Sequence, residues 1–258
     1  MKRTKRKNFF TLLEVMISMG VFTVLMLALM QFFTTAQDVW DRSGSKTELY
    51  DTGRLAMQLL QDDLVSAFYG DEYHDTTANP FFKLENNTKL TFAAMRQEGL
   101  TALHYEWNVA DMTLTLAEKE QAGATSITRS SSWMTDVQGQ PKNVILDNVL
   151  YFNVVAKDHE DNDISASAQR PPAMLLITMA VLEPTAYEQV KKILTAEDSS
   201  TDAAAIATKI TTFFNGMLEG IKLKDRDSAL TGSGTDRVMQ EHIYDGVQFF
   251  QKLVMIER

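Results

Sequence analysis

The feature that most constrains this chain is an uncharged apolar run near its N-terminus, from Val15 to Phe33. As an α-helix, these 19 residues would span roughly 28 Å, close to the thickness of the hydrocarbon layer of a membrane. Five cations between Lys2 and Lys7 precede the run, and such a cluster normally keeps the N-terminus in the cytoplasm. The sequence therefore predicts a single transmembrane helix, with the rest of the chain on the far side of the membrane.

Two simpler interpretations of this run are a cleavable secretory signal, with a cleavage site at Thr34–Ala36, and a plain signal anchor. The apolar region of a secretory signal usually has about 7–15 residues, so the length argues against cleavage there. Neither interpretation accounts for Glu14, because an ionised carboxylate in the apolar layer costs on the order of 2.5–3.5 kcal/mol. No Lys, Arg or His lies between Glu14 and Arg42, which favours a positive charge supplied by another molecule.

The stretch FTLLEVMIS, from Phe10 to Ser18, resembles the signature of type IV prepilins and type II secretion pseudopilins. The shared pattern is a short basic leader, a phenylalanine, and a glutamate four residues later. The resemblance implies that a prepilin peptidase cuts between Phe9 and Phe10 and that the new amine of Phe10 is methylated. It also implies that Glu14 pairs with the N-terminal ammonium of a neighbouring subunit during assembly.

The sequence departs from the family pattern at the cut, because Phe9 stands where the family has glycine. Three outcomes are therefore open: cleavage between Phe9 and Phe10, cleavage between Asn8 and Phe9, or no cleavage. An uncut chain would still be anchored in the membrane, but it could not offer the ammonium group.

The resemblance also implies partners and a location. Other pilin-like subunits, the peptidase and an inner-membrane assembly platform would be partners, with the N-terminus cytoplasmic and the C-terminal domain periplasmic.

The formal charge is −9, and the five leader cations leave −14 on the remaining chain. So acidic a body repels phosphate backbones, which argues against a nucleic-acid partner. Without cysteine, the chain has no disulfide and no thiolate site.

Apolar residues recur at helical spacing between Thr47 and Tyr69, and Gly70 is placed to end that helix. The sequence DRSGSK, Asp41 to Lys46, predicts a kink or short interruption before it. The predicted segments are a basic leader (1–9), a transmembrane and assembly helix (10–36), the soluble half of the same helix (37–70), an antiparallel sheet domain (71–183), a helical insertion (184–246) and a last strand (247–258).

Alternating apolar residues predict strands in KLTFAAM, TALHYEWNV and DMTLTLAE, the last two joined as a hairpin. The runs Asn143 to Ala156 and Ala173 to Glu183 are apolar on both alternations, which is typical of interior strands. Residues 247–258 satisfy both strand and helix spacing, and we favour a strand because it would complete the sheet. Over roughly residues 9–183, the order of elements resembles the J-type minor pseudopilin and related minor pilins. The resulting fold class is α+β and pilin-like: a long N-terminal helix packed on an antiparallel sheet, with a helical insertion before the last strand.

The sequence offers little catalytic chemistry. It has no HExxH motif, nucleophile elbow or phosphate-binding loop, so we expect neither an enzyme nor a cofactor. His104 is expected to point outward from a strand. An acidic stretch offers oxygen ligands suited to calcium but lacks the glycine and distal glutamate of an EF-hand, so a solvated linker is favoured. Its carboxylates are Asp158, Glu160, Asp161 and Asp163.

The sequence thus predicts a minor pilin-like subunit of a type II secretion or type IV pilus-type machine, with a role in protein transport. The alternative is a membrane-anchored extracytoplasmic binding domain that does not polymerise. Glu14 distinguishes the two, because a simple anchor has no use for a carboxylate in the membrane.

Overall fold

The chain forms an α+β fold with a long N-terminal helix and two antiparallel sheets. The computed structural model describes residues 12–68, 81–96, 99–120, 136–164, 172–198, 202–222 and 224–256. The chain divides into two compact units, and the division falls between Lys46 and Thr47.

The first helix, α1, runs without a break from Leu12 to Val65. The predicted interruption at Asp41–Lys46 is therefore wrong. A single glycine costs a helix only about 1 kcal/mol, which a helix of this length absorbs. The hydroxyl of Ser45 donates to the carbonyl oxygen of Asp41 at 3.1 Å, within the helix, so this serine does not divert the backbone.

The helix ends at Val65, earlier than the predicted end at Tyr69. The side chain of Ser66 donates to the carbonyl of Asp63 at 2.8 Å, and the next two residues leave the helix to pair with a strand. Strand pairing thus competes successfully with the last helical turn. Gly70, the predicted terminator, lies outside the described residues.

The first sheet has the order β1-β3-β4-β5-β6, with β2 pairing with β3 at the side. The predicted hairpin is confirmed as β4 and β5, and a 3₁₀ turn at Val137–Gly139 precedes β6. The strands are β1 (Ala67–Phe68), β2 (Phe82–Glu85), β3 (Lys89–Arg96), β4 (Gly99–Asn108), β5 (Thr113–Glu120) and β6 (Lys142–Leu146).

The second sheet has the order β10-β9-β7-β8. The run from Asn143 to Ala156, predicted as one interior strand, is instead split between β6 and β7 in different sheets. Asn148, with φ of 57°, occupies the left-handed region between them, and β6 is an edge strand. The predicted last strand is confirmed. The strands are β7 (Val149–Lys157), β8 (Asp163–Ile164), β9 (Met174–Leu182) and β10 (Val247–Met255).

In the described part of the stretch between β9 and β10 there are four helices. The backbone N–H of Glu183 donates to the carbonyl of Gly246 at 2.9 Å, so the two ends of this helical insertion are adjacent. Thr201, the predicted cap of the second of these helices, lies outside the described residues, while the carboxylate of Asp202 accepts from the N–H of Ala204 at 3.3 Å. The helices are α2 (Pro184–Asp198), α3 (Ala203–Lys222), α4 (Arg226–Ala229) and α5 (Thr235–Gly246).

The second unit has a main core between α1 and strands of both sheets. Leu49, Met57, Leu60 and Leu64 of α1 are buried there together with residues such as Phe92, Phe152 and Phe250. A separate core lies beneath the insertion, where apolar residues of α2, α3 and α5 cover Leu150, Ala180 and Leu182. The second sheet has apolar side chains on both faces, toward the main core and beneath the insertion. This explains why the sequences of β7 and β9 do not simply alternate apolar and polar residues.

Candidate functional site

The N-terminal unit presents apolar side chains all around its helix. From Leu12 to Phe33, which we call the apolar segment, the large apolar side chains are between 46% and 81% exposed. By length and composition, α1 contains a segment able to cross a membrane. The exposed side chains include Leu12, Met16, Met19, Phe22, Leu25, Leu29, Phe32 and Phe33.

The hydroxyl groups of the apolar segment bond to the helix itself. Ser18 Oγ donates to the carbonyl of Glu14 at 2.7 Å, and Thr23 Oγ1 donates to the carbonyl of Met19 at 2.8 Å. In hydrocarbon, an unsatisfied polar group is costly because no water can bond to it. These two side chains therefore carry little penalty in a membrane.

Glu14 is the one charged residue between Leu12 and Gln37. It lies in the first described turn of α1, the end at which the helix dipole favours a negative charge. Phe9 and Phe10, the predicted cleavage and methylation positions, lie outside the described residues. The structure thus places Glu14 at the N-terminal end of the apolar segment.

Of the four candidate calcium ligands, Asp158, Glu160 and Asp161 lie on the turn between β7 and β8, and Asp163 is the first residue of β8. Asp158 Oδ1 accepts from the N–H groups of Glu160 and Asn162 at 2.8 and 2.9 Å, and hydrogen bonds from Asn162 lower the pKa of Asp158. The ammonium of Lys157 lies 2.9 Å from Asp161 and 3.3 Å from Asp163.

Within the described part of the chain, no three Asp, Glu or His side chains are grouped so that they could hold a metal ion. The acidic stretch instead stabilises its own turn, with Asp158 bonding to the backbone and Lys157 neutralising two neighbours. The calcium hypothesis therefore has no geometric support in this turn.

A buried polar group on β3 and β4 was missed by the sequence analysis. His104 lies on the face of β4 opposite the main core, as expected of an outward-pointing strand residue, but its side chain is only 2% exposed to solvent. Thr91 Oγ1 and His104 Nδ1 are 2.7 Å apart, and His104 Nε2 is 3.6 Å from Glu106 Oε2. The face of β4 opposite the main core is covered too, which is why a strand position with alternating neighbours is buried. The register pairs Thr91 directly with His104, a fact that alternation alone does not supply.

Thr91, His104 and Glu106 follow one another as a hydroxyl, an imidazole and a carboxylate. In hydrolases such a series supplies a nucleophile, the base that activates it and the acid that orients the base. Thr91 is 2% exposed, however, so a substrate cannot meet its hydroxyl without opening the sheet. Glu106 also forms ion pairs with Lys89, at 2.6 Å, and with Lys142. The group thus links β3, β4 and β6 within the sheet.

The pKa values of this group follow from burial and charge. Burial lowers the pKa of His104, an effect that the nearby Glu106 only partly opposes. Burial also works to raise the pKa of Glu106, but hydrogen bonds and charge from Lys142 and Lys89 outweigh it and lower that pKa to about 2. At neutral pH, the folded protein therefore holds a neutral imidazole beside an ionised carboxylate.

We expect the stability of the second unit to fall in two steps on acidification. The folded protein resists protonation of His104, so the stabilisation present above pH 6.5 is lost as the pH falls below that value. For Glu106, the stabilisation present above pH 4.5 is lost as the pH falls toward 2; the shift corresponds to about 3 kcal/mol before solvent screening. Denaturant unfolding at a series of pH values should show a smaller loss of stability below pH 4.5 in Glu106→Gln than in wild type and Glu120→Gln, because other carboxylates with lowered pKa values, such as Asp158, remain. Equal slopes below pH 4.5 in all three proteins would contradict this assignment.

A second buried polar group connects α1 to the first sheet. Tyr105 Oη donates to Asp63 Oδ2 at 2.5 Å, and Arg96 Nη2 donates to Asp63 Oδ1 at 2.8 Å. Arg96 Nη1 also donates to Glu118 at 3.2 Å. Burial, and then the charge of Asp63, raise the pKa of Tyr105, so its hydroxyl remains a donor. Asp63 thus fixes the C-terminal end of α1 against β3 and β4.

No protein family model matches this chain, and no curated protein is significantly similar to it. Arguments about function therefore depend on the structure itself. Two features bear on it: the apolar segment with Glu14, and the α+β second unit, which begins within α1 at Thr47.

Proposed function

We propose that the chain is a minor pilin-like (pseudopilin) structural subunit of a type II secretion or type IV pilus-type machine. The observation that carries this proposal is Glu14, the one charged residue at the N-terminal end of an exposed apolar helix. A carboxylate in hydrocarbon persists where a partner or a task requires it. The ammonium group of a neighbouring subunit's N-terminus would supply that partner in the same layer of the membrane.

The course of α1 supports the proposal. The helix continues from the apolar segment into residues that pack against antiparallel strands in the second unit. A membrane half followed by a soluble half that covers a sheet is the arrangement that the resemblance to pilins implies. We propose on the same basis that the first sheet, the second sheet and the helical insertion form a pilin-like domain.

The proposed location is the inner membrane, with one span, the N-terminus in the cytoplasm and the second unit in the periplasm. The basic leader before the apolar segment and the satisfied hydroxyls within it support this topology. The proposed partners are other pilin-like subunits, a prepilin peptidase and an assembly platform. The proposed role is structural, in protein transport, and not catalytic.

Substitution of Glu14 tests the proposal. In the full chain, Glu14→Ala and Glu14→Gln should insert into the membrane at wild-type levels but lose recovery in the assembled complex by roughly tenfold or more. The loss follows because a partner charge left unpaired in an apolar layer costs several kcal/mol. Asp38→Ala, which removes the next carboxylate on the same helix, is the matched control and should assemble normally.

Membrane fractionation and cross-linking between neighbouring subunits give the two readouts. Recovery of both Glu14 variants in the assembled complex at the wild-type level would contradict the proposal. Mass spectrometry of the mature N-terminus adds an independent measurement, since a methylated Phe10 is expected if the peptidase accepts Phe9. An intact leader together with normal assembly would contradict pairing through a new N-terminal ammonium.

The alternative function, a membrane-anchored binding domain that does not polymerise, is favoured by a different observation. A groove of 590 Å³ lies in the second unit between α1 and β10. A pure anchor would retain this groove and would be indifferent to the Glu14 substitutions. The same assembly assay therefore separates the two functions.

A further inference from the structure

The groove in the second unit is formed by α1 on one side and β10 on the other. Phe250 of β10 lies against α1: its ring centroid is 5.8 Å from that of Tyr50, and a Cβ atom at Gly53 would lie 2.4 Å from its Cζ. Helix and strand thus meet closely at Gly53. The groove is lined by Tyr50, Arg54, Met57, Gln58, Gln61, Asp62 and residues 249–252.

The groove runs along the edge of β10. Successive side chains of a strand point to opposite faces of its sheet, so a groove above one face would touch every second residue. This groove touches four consecutive residues, Phe249 to Lys252. It therefore follows the side of the strand, where backbone groups are presented.

No described residue pairs with that edge. Among the described residues, β10 pairs with β9 alone. The register continues beyond both strand ends, where Ile256 N–H donates to the carbonyl of Ala173 at 2.9 Å and Glu183 N–H donates to that of Gly246 at 2.9 Å.

These two bonds identify the groups that face the free edge. In an antiparallel pair, residues alternate between bonding their direct partner and directing both backbone groups away from it. Because Gly246 and Ile256 bond toward β9, the even-numbered residues between them do so too. The free edge receives the backbone N–H and C=O groups of Val247, Phe249, Gln251, Leu253 and Met255.

The edge lacks most of the usual protection against strand addition. Natural edge strands are shortened, bulged, or interrupted by proline, and β10 is a regular strand of nine residues without proline. Three of its apolar side chains are also exposed: Phe249 by 36%, Leu253 by 46% and Met255 by 63%. Lys252 is its one charged residue.

The charge of the groove indicates what would bind. Arg54 and Lys252 line it, and neither forms an ion pair with a residue in the described part of the chain. The one carboxylate in the lining, Asp62, lies two helical turns beyond Arg54. These two cations, without an ion-pair partner in the described part of the chain, make the groove locally positive and favour an occupant that carries a carboxylate.

A second copy of the chain fits this site poorly. If two β10 strands paired about a twofold axis near Gln251, each would bring its Lys252 toward that of the other copy, and Arg54 would add to the positive charge. Like charges placed together across an interface are unfavourable. The occupant is therefore better supplied by a different chain.

We propose that the β10 edge is a docking site for an extended, carboxylate-bearing segment of a different protein chain. The segment adds to the second sheet as a further strand, bonds to the backbone of Phe249, Gln251 and Leu253, and places its carboxylate near Arg54 and Lys252. Main-chain hydrogen bonds supply affinity in this mode, and side chains supply specificity. The site does not depend on Glu14 or on the proposed assembly function.

Synthetic peptides test the site directly. The probe is a fluorescent nine-residue peptide of alternating valine and threonine with two central glutamates, titrated with the full chain in detergent and followed by anisotropy. One matched peptide has lysines in place of the glutamates, and another has alternate backbone nitrogens methylated. We expect the acidic peptide to bind, and both matched peptides to bind at least about tenfold more weakly.

Variants of the full chain assign the binding to β10. Lys252→Glu and Arg54→Glu should each weaken binding of the acidic peptide at least about fivefold. Gln251→Pro removes an N–H directed to the free edge while sparing the bonds to β9, and should weaken it about tenfold. Lys192→Glu, which reverses an exposed lysine on α2, is the control and should bind normally. Circular dichroism checks that each variant is folded.

Two results would overturn the proposal: equal binding of the acidic and lysine peptides, or binding that Gln251→Pro leaves unchanged. A photo-crosslinker at Gln251 in cells tests the occupant. An adduct with an extended acidic segment of a non-identical protein would support the choice, and an adduct with a second copy alone would overturn it. Because these readouts do not involve the apolar segment, their failure is distinguishable from a failure of the Glu14 test.

Discussion

The Asp63→Ala variant is expected to unfold with a free energy about 3–5 kcal/mol lower than that of wild type. The substitution removes the acceptor of the buried Tyr105 hydroxyl and the main partner of Arg96 at once. A buried donor without an acceptor and a partly buried cation without a counterion both carry a large desolvation cost. The effect should therefore exceed that of losing one ordinary hydrogen bond.

Companion substitutions give a graded series. Tyr105→Phe removes one donor and leaves the ion pair, so we expect a loss of about 1–2 kcal/mol. Asp62→Ala removes the adjacent, exposed carboxylate and should change stability by less than about 0.5 kcal/mol. Denaturant unfolding of the full chain in detergent, followed by tryptophan fluorescence, measures all three. A loss below 1 kcal/mol for Asp63→Ala would show that the group does not hold α1 to the sheet.

The second large effect is expected at Gly220, in the last turn of α3. A Cβ atom there would lie 2.4 Å from the backbone nitrogen of Ala229 and 2.7 Å from its Cα, both in α4. Backbone atoms cannot move aside as a flexible side chain can, so Gly220→Ala must separate α3 from α4. We expect a loss of about 1–3 kcal/mol, the usual cost of overpacking.

Gly216, one turn earlier on α3, provides the matched control. Nothing lies within 4 Å of a Cβ atom built at this position. Gly216→Ala should therefore stabilise the protein by about 0.5–1 kcal/mol, because alanine is the better helix former. Thermal unfolding followed by circular dichroism compares the two variants. Shifts of the same sign would contradict the close contact between α3 and α4.

The sequence predicts individual elements of this fold better than their arrangement. Helices α2 and α3 and the hairpin of β4 and β5 follow from local periodicity. The division into two sheets depends on the turn at Asp147–Asn148, inside a run that is apolar on both alternations. Such a run shows that a strand is buried but gives no sign of where it passes from one sheet to another.

The functional features differ in the same way. Glu14 is visible in the sequence, because a carboxylate beside an apolar run is a local signal. Asp63 and His104 are not, because their burial depends on elements that pack over them from elsewhere in the chain. The groove combines α1 with β10, nearly 200 residues later, so no sequence window contains both of its sides. Local patterns therefore identify the apolar segment and miss the β10 edge.

The hydrogen bond between Glu183 and Gly246 has a consequence for the order of folding. Strands β9 and β10 form nine register pairs, but the whole helical insertion separates them in the chain. Joining them directly would require closure of a long loop, whose entropy must be lost before any pair is gained. In the folded insertion, the two ends already lie at hydrogen-bonding distance. Strands β9 and β10 can then form their nine register pairs without closing a long loop. We therefore expect the last strand to join the sheet after the insertion has folded.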